Sequence, residues 1–290
     1  MLTAYAPAKV NLFLHVGPAQ ANGRHQLDSL VMFAEAEAAD RLEVEPAAGL
    51  SLIVDGPASA GLEADEGNLV LRAARTLQEA SGTSEGAAIR LNKLLPVAGG
   101  IGGGSADAGA ALRLLTSLWG LDAAHATAVA PGLGGDVPVA LHNAPALMQG
   151  EGERVVPVGG LPSIPAILVN PGLACPTGPV FAAYDAAGGG DGFSAFGNVP
   201  VFESAAGLLD WLQVQRNDLE GPAIGLVPGI GGVLEVLSGL AGSRLSRMSG
   251  SGATCFALFG TPEAADDAAA RVAADNPGWW VRATMLGTGA

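Results

Sequence analysis

Apolar and polar residues change places with two different periods along this chain. Near the start, Val10, Leu12 and Leu14 alternate with Asn11, Phe13 and His15 in AKVNLFLHVG. A period of two predicts a strand. DRLEVEP and GLSLIVDG read as two more strands bounded by turn residues. The period lengthens in DEGNLVLRAARTLQEASG, where Val70, Ala73, Ala74 and Leu77 share one helical face. Asp65 or Asn68 caps that helix, and Gly82 ends it. AAIRLNKLLPVA predicts a strand running into a glycine loop. A second helix is expected from Ser105 to about Trp119, apolar at Leu112, Leu115 and Leu118, with Gly120 as its stop.

Further on, GLGGDVPVALHNAPALMQGEGERVVPV predicts glycine turns and short strands. Proline-rich GGLPSIPAILVNPGLACPTGPVF marks a change of domain near residue 155, giving domains 1–155 and 156–290. AAGGGDGFSAFGN, residues 186–198, reads as an exposed, mobile loop, and whether it folds over a site is open. SAAGLLDWLQVQRNDLEGPAIGLVPGIGGVLEVL holds helical segments broken by Gly and Pro. The remainder reads strand, turn, strand, helix, strand. The expectation is a mixed α+β protein of two domains.

Composition narrows the function classes. Of 290 residues, 49% are apolar, enough for a sizeable core, and no run of 18 apolar residues suggests a membrane span. Pro7 and Lys9 interrupt the first apolar run, which therefore reads as a strand rather than a signal peptide. Cys175 and Cys255 lack metal-type spacing and suit a reducing compartment, so the expected location is cytoplasmic. A net charge of −14 argues against general nucleic-acid binding but leaves room for a local anion site. Of the 14 basic residues only Lys9 and Lys93 are lysine. A bias toward arginine explains most of this, yet each lysine stands near a glycine or proline motif where a compact ammonium serves.

PVAGGIGGGSADAGA supplies the candidate anion site. Five glycines stand between Gly99 and Gly104, directly before a helix. Bare backbone lets successive N–H groups turn inward, and the helix start adds free N–H groups and its dipole. The alternative is a flexible turn. No G-K-[ST] follows, so this is not a Walker A loop. A dinucleotide-binding loop should follow the first strand and precede an acidic residue, whereas this loop lies a third of the way in and Asp122 sits in a turn.

PAKVNLFLHV, PVAGGIGGGSADAGAAL and RMSGSGATCFALF together resemble the three motifs of the GHMP kinase superfamily, named for galactose, homoserine, mevalonate and phosphomevalonate kinases. NGRHQLDSLV, GNLVLRAARTL, LGGDVPVAL, NPGLACPTGPVF and RNDLE extend the resemblance, in order, over most of the chain. It implies an N-terminal domain like the second domain of ribosomal protein S5, a ferredoxin-like C-terminal domain and a site in the cleft between them. It also implies transfer of the γ-phosphoryl of ATP, with Mg²⁺, to the 2-hydroxyl of a methylerythritol held in a cytidine diphosphate conjugate, on the non-mevalonate route to isoprenoid precursors. The partners expected are small molecules, and the assembly a monomer or homodimer. Homoserine- or mevalonate-type kinases and a non-catalytic nucleotide-binding regulator are the rivals. GRHQL with CPTGPVF favours cytidine, and Lys9 with Asp136 favours catalysis.

Residue roles follow from the same resemblance. Asp136 matches the catalytic base, although by spacing alone it reads as a turn residue. Lys9 matches the active-site lysine, and Asn11, two residues on, points to the same face and bonds the acceptor. Gly99, Gly100, Gly102, Gly103, Gly104 and Ser105, preceded by Pro96, cradle the triphosphate. The Ser105 hydroxyl approaches Mg²⁺ or a phosphate, or simply caps the helix. Asp107 stabilises the helix dipole or sits near the metal. Asn68 and Lys93 match the adenosine pocket. His25 matches a histidine that reads cytosine, and Thr177 and Phe181 the other wall of that pocket. Arg24 stands where the family often has an aromatic, and either stacks on the base or pairs with the diphosphate. Gly250 and Gly252 are expected to form a turn packed against the phosphate loop.

Overall fold

The structure, a computed structural model, describes residues 1–190, 193–195 and 197–289. The first half supplies strands β1 (Leu2–Pro7), β2 (Lys9–Asn11), β3 (His15–Ala19), β4 (His25–Ala34), β5 (Ala39–Ala47) and β6 (Leu50–Asp55). Helix α1 (Leu69–Ser81), strand β7 (Gly86–Asn92), helices α2 (Gly103–Leu118), α3 (Ala123–Leu133) and α4 (Val137–His142), and strands β8 (Ala146–Gly150) and β9 (Arg154–Pro157) follow. The second half adds β10 (Ile164–Asn170), α5 (Thr177–Ala186), α6 (Ala205–Gln213), α7 (Glu220–Leu226), α8 (Gly229–Ser238), β11 (Ser243–Met248), β12 (Cys255–Phe259), α9 (Pro262–Asp275) and β13 (Trp280–Gly287).

Two sheets organise these elements. The smaller has the order β1-β5-β7-β6, antiparallel except for the β6–β7 pair. In β5, Leu42 and Val44 face inward while Arg41 and Glu45 face water, so α1 and α2 cover one side only. Helix α1 forms as its pattern predicts. Asn68 accepts the Val70 N–H at 3.0 Å, Gly82 closes the helix at φ +69°, and Val70, Ala73, Ala74 and Leu77 are buried.

The larger sheet runs β11-β12-β10-β13-β4-β8-β9, antiparallel throughout, with β2 and β3 on the free edge of β4. Within it, β10, β11, β12 and β13 with their helices form a split βαβ in which β12 lies between β10 and β11, the ferredoxin-like arrangement expected. Strands β10 and β12 are buried on both faces. Ile167 and Val169 pack toward α7, α8 and α9, and Ala166 and Leu168 toward α6 and the first half. Residues 155 and 156 lie inside β9, and one sheet crosses that position. Among the described residues no helix is long and apolar enough to cross a membrane.

Three readings of the sequence need correction. The single strand expected over 8–17 is broken into β2 and β3, because Leu14 pairs with a distant segment: its N–H bonds Arg216 O at 2.9 Å and its carbonyl takes the Asp218 N–H at 2.9 Å. Lys9, Asn11 and His15 of that stretch are all buried. Residues 137–142, expected among short strands, form α4, which Pro138 suits as a first-turn residue. The second helix begins at Gly103 rather than Ser105, with Gly102 at φ +66° as its cap. In residues 186–198, Asp191, Gly192 and Phe196 lie outside the described residues, and the expectation for that loop falls partly there.

Candidate active site

A cleft of about 900 Å³ opens where the glycine loop, β2, α4, α5 and the 249–251 turn converge. One wall is backbone. Ala98, Gly100 and Gly102 all take positive φ, of 54°, 75° and 66°. Between them Ile101 is fully buried and plugs the loop into the core. A Cβ on Gly100 would stand 2.5 Å from the Gly252 carbonyl oxygen and 2.7 Å from that of Ser249. Only glycine allows that approach. Thr254 N–H bonds Gly99 O at 3.0 Å, and Ser249 Oγ donates to Gly100 O at 3.2 Å, so the 249–254 turn packs on the loop as expected. Gly103, Gly104 and Ser105 then start α2 and line the cleft, where their N–H groups are the unbonded first ones of a 16-residue helix. Ser105 is the third residue of the helix and does not cap it.

The facing wall is made of side chains. Lys9 is buried, and its Nζ lies 3.1 Å from Asp136 Oδ2 and donates to Asn11 Oδ1 at 2.9 Å. Asn11 Nδ2 donates to Ser29 Oγ at 2.8 Å, and Ser29 Oγ donates to the Phe13 carbonyl. This chain of bonds fixes the amide orientation and pins the ammonium. Asp136 holds the position before α4, yet its carboxylate makes no capping bond and its side chain is 37% exposed. It therefore stays available to Lys9 and to a ligand. A Cβ on Gly102 would meet Lys9 Cε at 3.3 Å and Asp136 Oδ2 at 3.6 Å, so the ion pair adjoins the glycine loop.

At the far end, His25 Nδ1 lies 2.9 Å from the Gly17 carbonyl. A carbonyl only accepts, so Nδ1 carries the proton and Nε2 is turned toward Asp185 Oδ2 at 3.5 Å. The Phe181 ring stacks on His25 at 4.9 Å, and Thr177 Oγ1 bonds Ser251 Oγ at 2.9 Å. Among the described residues Arg24 stacks on no ring, and its guanidinium holds Glu151 at 2.8 Å at the rim. Hydrogen bonds from Arg24 and Asn22 keep the Glu151 carboxyl below its ordinary range.

The cleft thus gathers Lys9, Asn11, Arg24, His25, Gly99, Gly100, Gly102 to Ser105, Asp136, Thr177 and Phe181. Asn68, Lys93 and Pro96 are not among the residues lining it. Asn68 is spent on α1, donating to Glu63 O as well as capping. Pro96 packs near Gly99. Lys93 is buried between Asp40 and Asp107, 2.7 Å from the latter. Asp107 therefore pairs with lysine rather than serving the dipole alone. Burial raises Asp107 to about 8, opposed by Lys93 and helped by Asp40. Burial also lowers Lys93, but its two carboxylates outweigh that and hold it above its ordinary value. Asp185, Ser251, Glu151 and Ser29 were not anticipated. Asp185 had a signal: Thr177, Phe181 and Asp185 are spaced by four, one face of α5.

Comparison with known proteins adds the following. Residues 68–145 match the family described as GHMP kinases N terminal domain, and residues 199–278 the family GHMP kinases C terminal. A 4-diphosphocytidyl-2-C-methyl-D-erythritol kinase from Hyphomonas neptunium is 59% identical over 288 residues, 99% of this chain and 97% of that protein. One from Methylorubrum extorquens is 47% identical over 294 residues, 99% of each chain. A crystal structure of 4-(cytidine 5'-diphospho)-2C-methyl-D-erythritol kinase superposes with a TM-score of 0.77 at 34% identity, covering 99% of both chains. A homoserine kinase from Cytophaga hutchinsonii shares the fold, with a TM-score of 0.70 at 18% identity over 99% of this chain and 95% of that one.

Proposed function

The chain belongs to the GHMP kinases, and we propose that it transfers the γ-phosphoryl group of ATP to the 2-hydroxyl of 4-diphosphocytidyl-2-C-methyl-D-erythritol. That reaction is a step on the non-mevalonate route to isoprenoid precursors. Full-length relatives carry this activity in their names, which favours it over the homoserine and mevalonate acceptors.

The observation that carries the mechanism is the Lys9–Asp136 pair, 3.1 Å apart beside the glycine loop. The triphosphate lies on the N–H groups of Gly99 to Ser105, at the positive end of α2. The acceptor reaches across from His25, Phe181 and Thr177, which hold its cytidine end, with Arg24 at the rim and Asn11 beside the reacting hydroxyl. Asp136 takes the hydroxyl proton as the new P–O bond forms and the bond from γ-phosphorus to the bridging oxygen breaks. Lys9 pairs with the Asp136 side chain and stabilises charge on the transferring group. Asn68, Lys93 and Pro96 act on ATP only through the loop and helices that they support.

No group of three or more His, Cys, Asp or Glu among the described residues could hold a metal ion. Magnesium would enter with the triphosphate, held through phosphates and few protein oxygens. Ser105 is the residue that would meet it, and when bound the ion neutralises phosphoryl charge. Two unpaired cysteines fit a reducing cytoplasm.

Phosphorus NMR on the protein with ATP, Mg²⁺ and the cytidine diphosphate conjugate tests the reading, with mevalonate and homoserine in parallel. A new phosphomonoester signal with the cytidine acceptor alone is expected. A signal only with another alcohol, or none from folded protein that binds ATP, contradicts it.

A further inference from the structure

Three ionisable side chains are buried together against the glycine loop without lining the cleft. Asp40 is 0% exposed, and Lys93 and Asp107 are 3% each. Lys93 Nζ donates to Asp40 Oδ2 and, at 2.7 Å, to Asp107 Oδ2. Asp40 Oδ1 accepts the backbone N–H groups of Leu94 at 2.5 Å and Leu95 at 2.9 Å. Their places in the chain matter. Lys93 to Leu95 lead into the glycine loop, Asp107 lies just beyond it in α2, and Asp40 belongs to β5. The cluster therefore ties both ends of the loop to one strand.

Stability alone is a poor account of this arrangement. Buried charges are commonly no better than well-packed apolar residues of the same volume. What the cluster adds is geometry, because each bond has a direction and the three elements can meet in only one way. The loop has need of it. Its glycines lose more freedom on ordering than any other residue, and its function requires N–H groups aimed at one point. A Cβ on Gly103 would lie 3.7 Å from Lys93 Nζ and 3.9 Å from Asp40 Oδ2, so the cluster supports the very peptide that opens α2 into the cleft.

We propose that Asp40, Lys93 and Asp107 form a positioning clamp for the phosphate loop: they aim the N–H groups of Gly103 to Ser105 without touching ATP. The clamp rests on the loop being the ATP phosphate site. It reassigns Lys93 from nucleotide contact to nucleotide positioning, and makes Asp107 its partner on α2.

The test compares Asp107→Leu, which severs α2 from the clamp, with Asp107→Asn, which keeps an oxygen for Lys93. Titration calorimetry with ATP, the KM for each substrate and a thermal melt are read on each variant. Asp107→Leu is expected to raise the ATP Kd and KM at least tenfold, with the acceptor KM within about twofold and a cooperative melt. Asp107→Asn should recover most of the loss. Lys93→Met with Asp107→Leu should be no worse than the poorer single variant, since both break one device. If Asp107→Leu does not fold, Asp107→Ser breaks the same contact without added bulk. A folded variant with wild-type ATP affinity overturns the clamp. So does an equal rise in both KM values, or losses from Lys93 and Asp107 that multiply, which would mean direct contact by Lys93. Wild-type protein that binds no ATP would instead remove the functional reading itself.

Discussion

The two walls of the cleft are built on opposite plans. The phosphate wall presents backbone: Gly99 to Gly104 offer no polar side chain, and their shape is set by what packs behind them. The acceptor wall presents side chains: Lys9, Asn11 and Asp136, then His25 and Phe181, drawn from segments far apart in the chain. Backbone N–H groups recognise what every triphosphate shares, and they change little with sequence as long as no Cβ intrudes. In the proposed mechanism side chains carry what distinguishes one acceptor from another, and they carry the proton. Binding of ATP and chemistry on the acceptor should therefore fail separately.

The largest expected separation comes from Asp136→Asn, which removes the proposed proton acceptor but leaves the phosphate wall whole. Turnover should fall about a thousandfold, within the usual range for a lost general base, while ATP binding stays within about twofold. A steady-state assay beside a nucleotide titration checks it. Gly100→Ala attacks the other wall. At φ +75°, with a carbonyl oxygen 2.5 Å from the new methyl, it should cost about 2 kcal/mol or more of stability and at least tenfold in ATP affinity. Gly104→Ala is its control. Nothing lies within 4 Å of that position, so the melt should move by less than about 0.5 kcal/mol while ATP affinity still drops. Phe181→Ala should raise the acceptor KM about tenfold and leave the ATP KM alone, as expected for a lost stacking face.

The last effect, gradual rather than stepwise, is a pH dependence. Folding raises Asp107 from its ordinary 3.8 to about 8, so between those values the folded chain holds a proton that the unfolded chain lacks. Stability is then greatest below about pH 4 for this group and declines as pH rises to about 8. The sign follows from proton linkage, since the folded chain binds the proton that the unfolded chain has released. Asp107→Asn should flatten the melting temperature across that window. A wild-type slope that survives in Asp107→Asn would assign it to other groups.

Some of this was legible beforehand. Helix α1 could be read from four apolar positions and two caps, and the glycine loop from composition alone. The split of 8–17 into two strands could not be read, because its cause is a hydrogen-bonded partner at Arg216 to Asp218. Strand β4 escaped notice although it is the hub that pairs with β2, β3, β8 and β13. Its Asp28 and Ser29 interrupt the apolar run, and both are buried. Helix α4 has six residues, too few for a period to declare itself. Lys93 is the instructive case. A lysine before a glycine loop suggests ligand contact, but its direction is set by carboxylates 53 and 14 residues away. Local patterns reveal which residues can do chemistry, and long-range partners decide which way they face.

The most direct test measures ATP affinity and single-turnover phosphoryl transfer on the same samples of Asp136→Asn and Gly100→Ala. Asp136→Asn should lose transfer and keep ATP, and Gly100→Ala should lose ATP affinity and, once saturated, recover most of its transfer rate. If both variants lose both properties together, or Asp136→Asn transfers phosphate at the wild-type rate, the division of labour between the two walls is wrong.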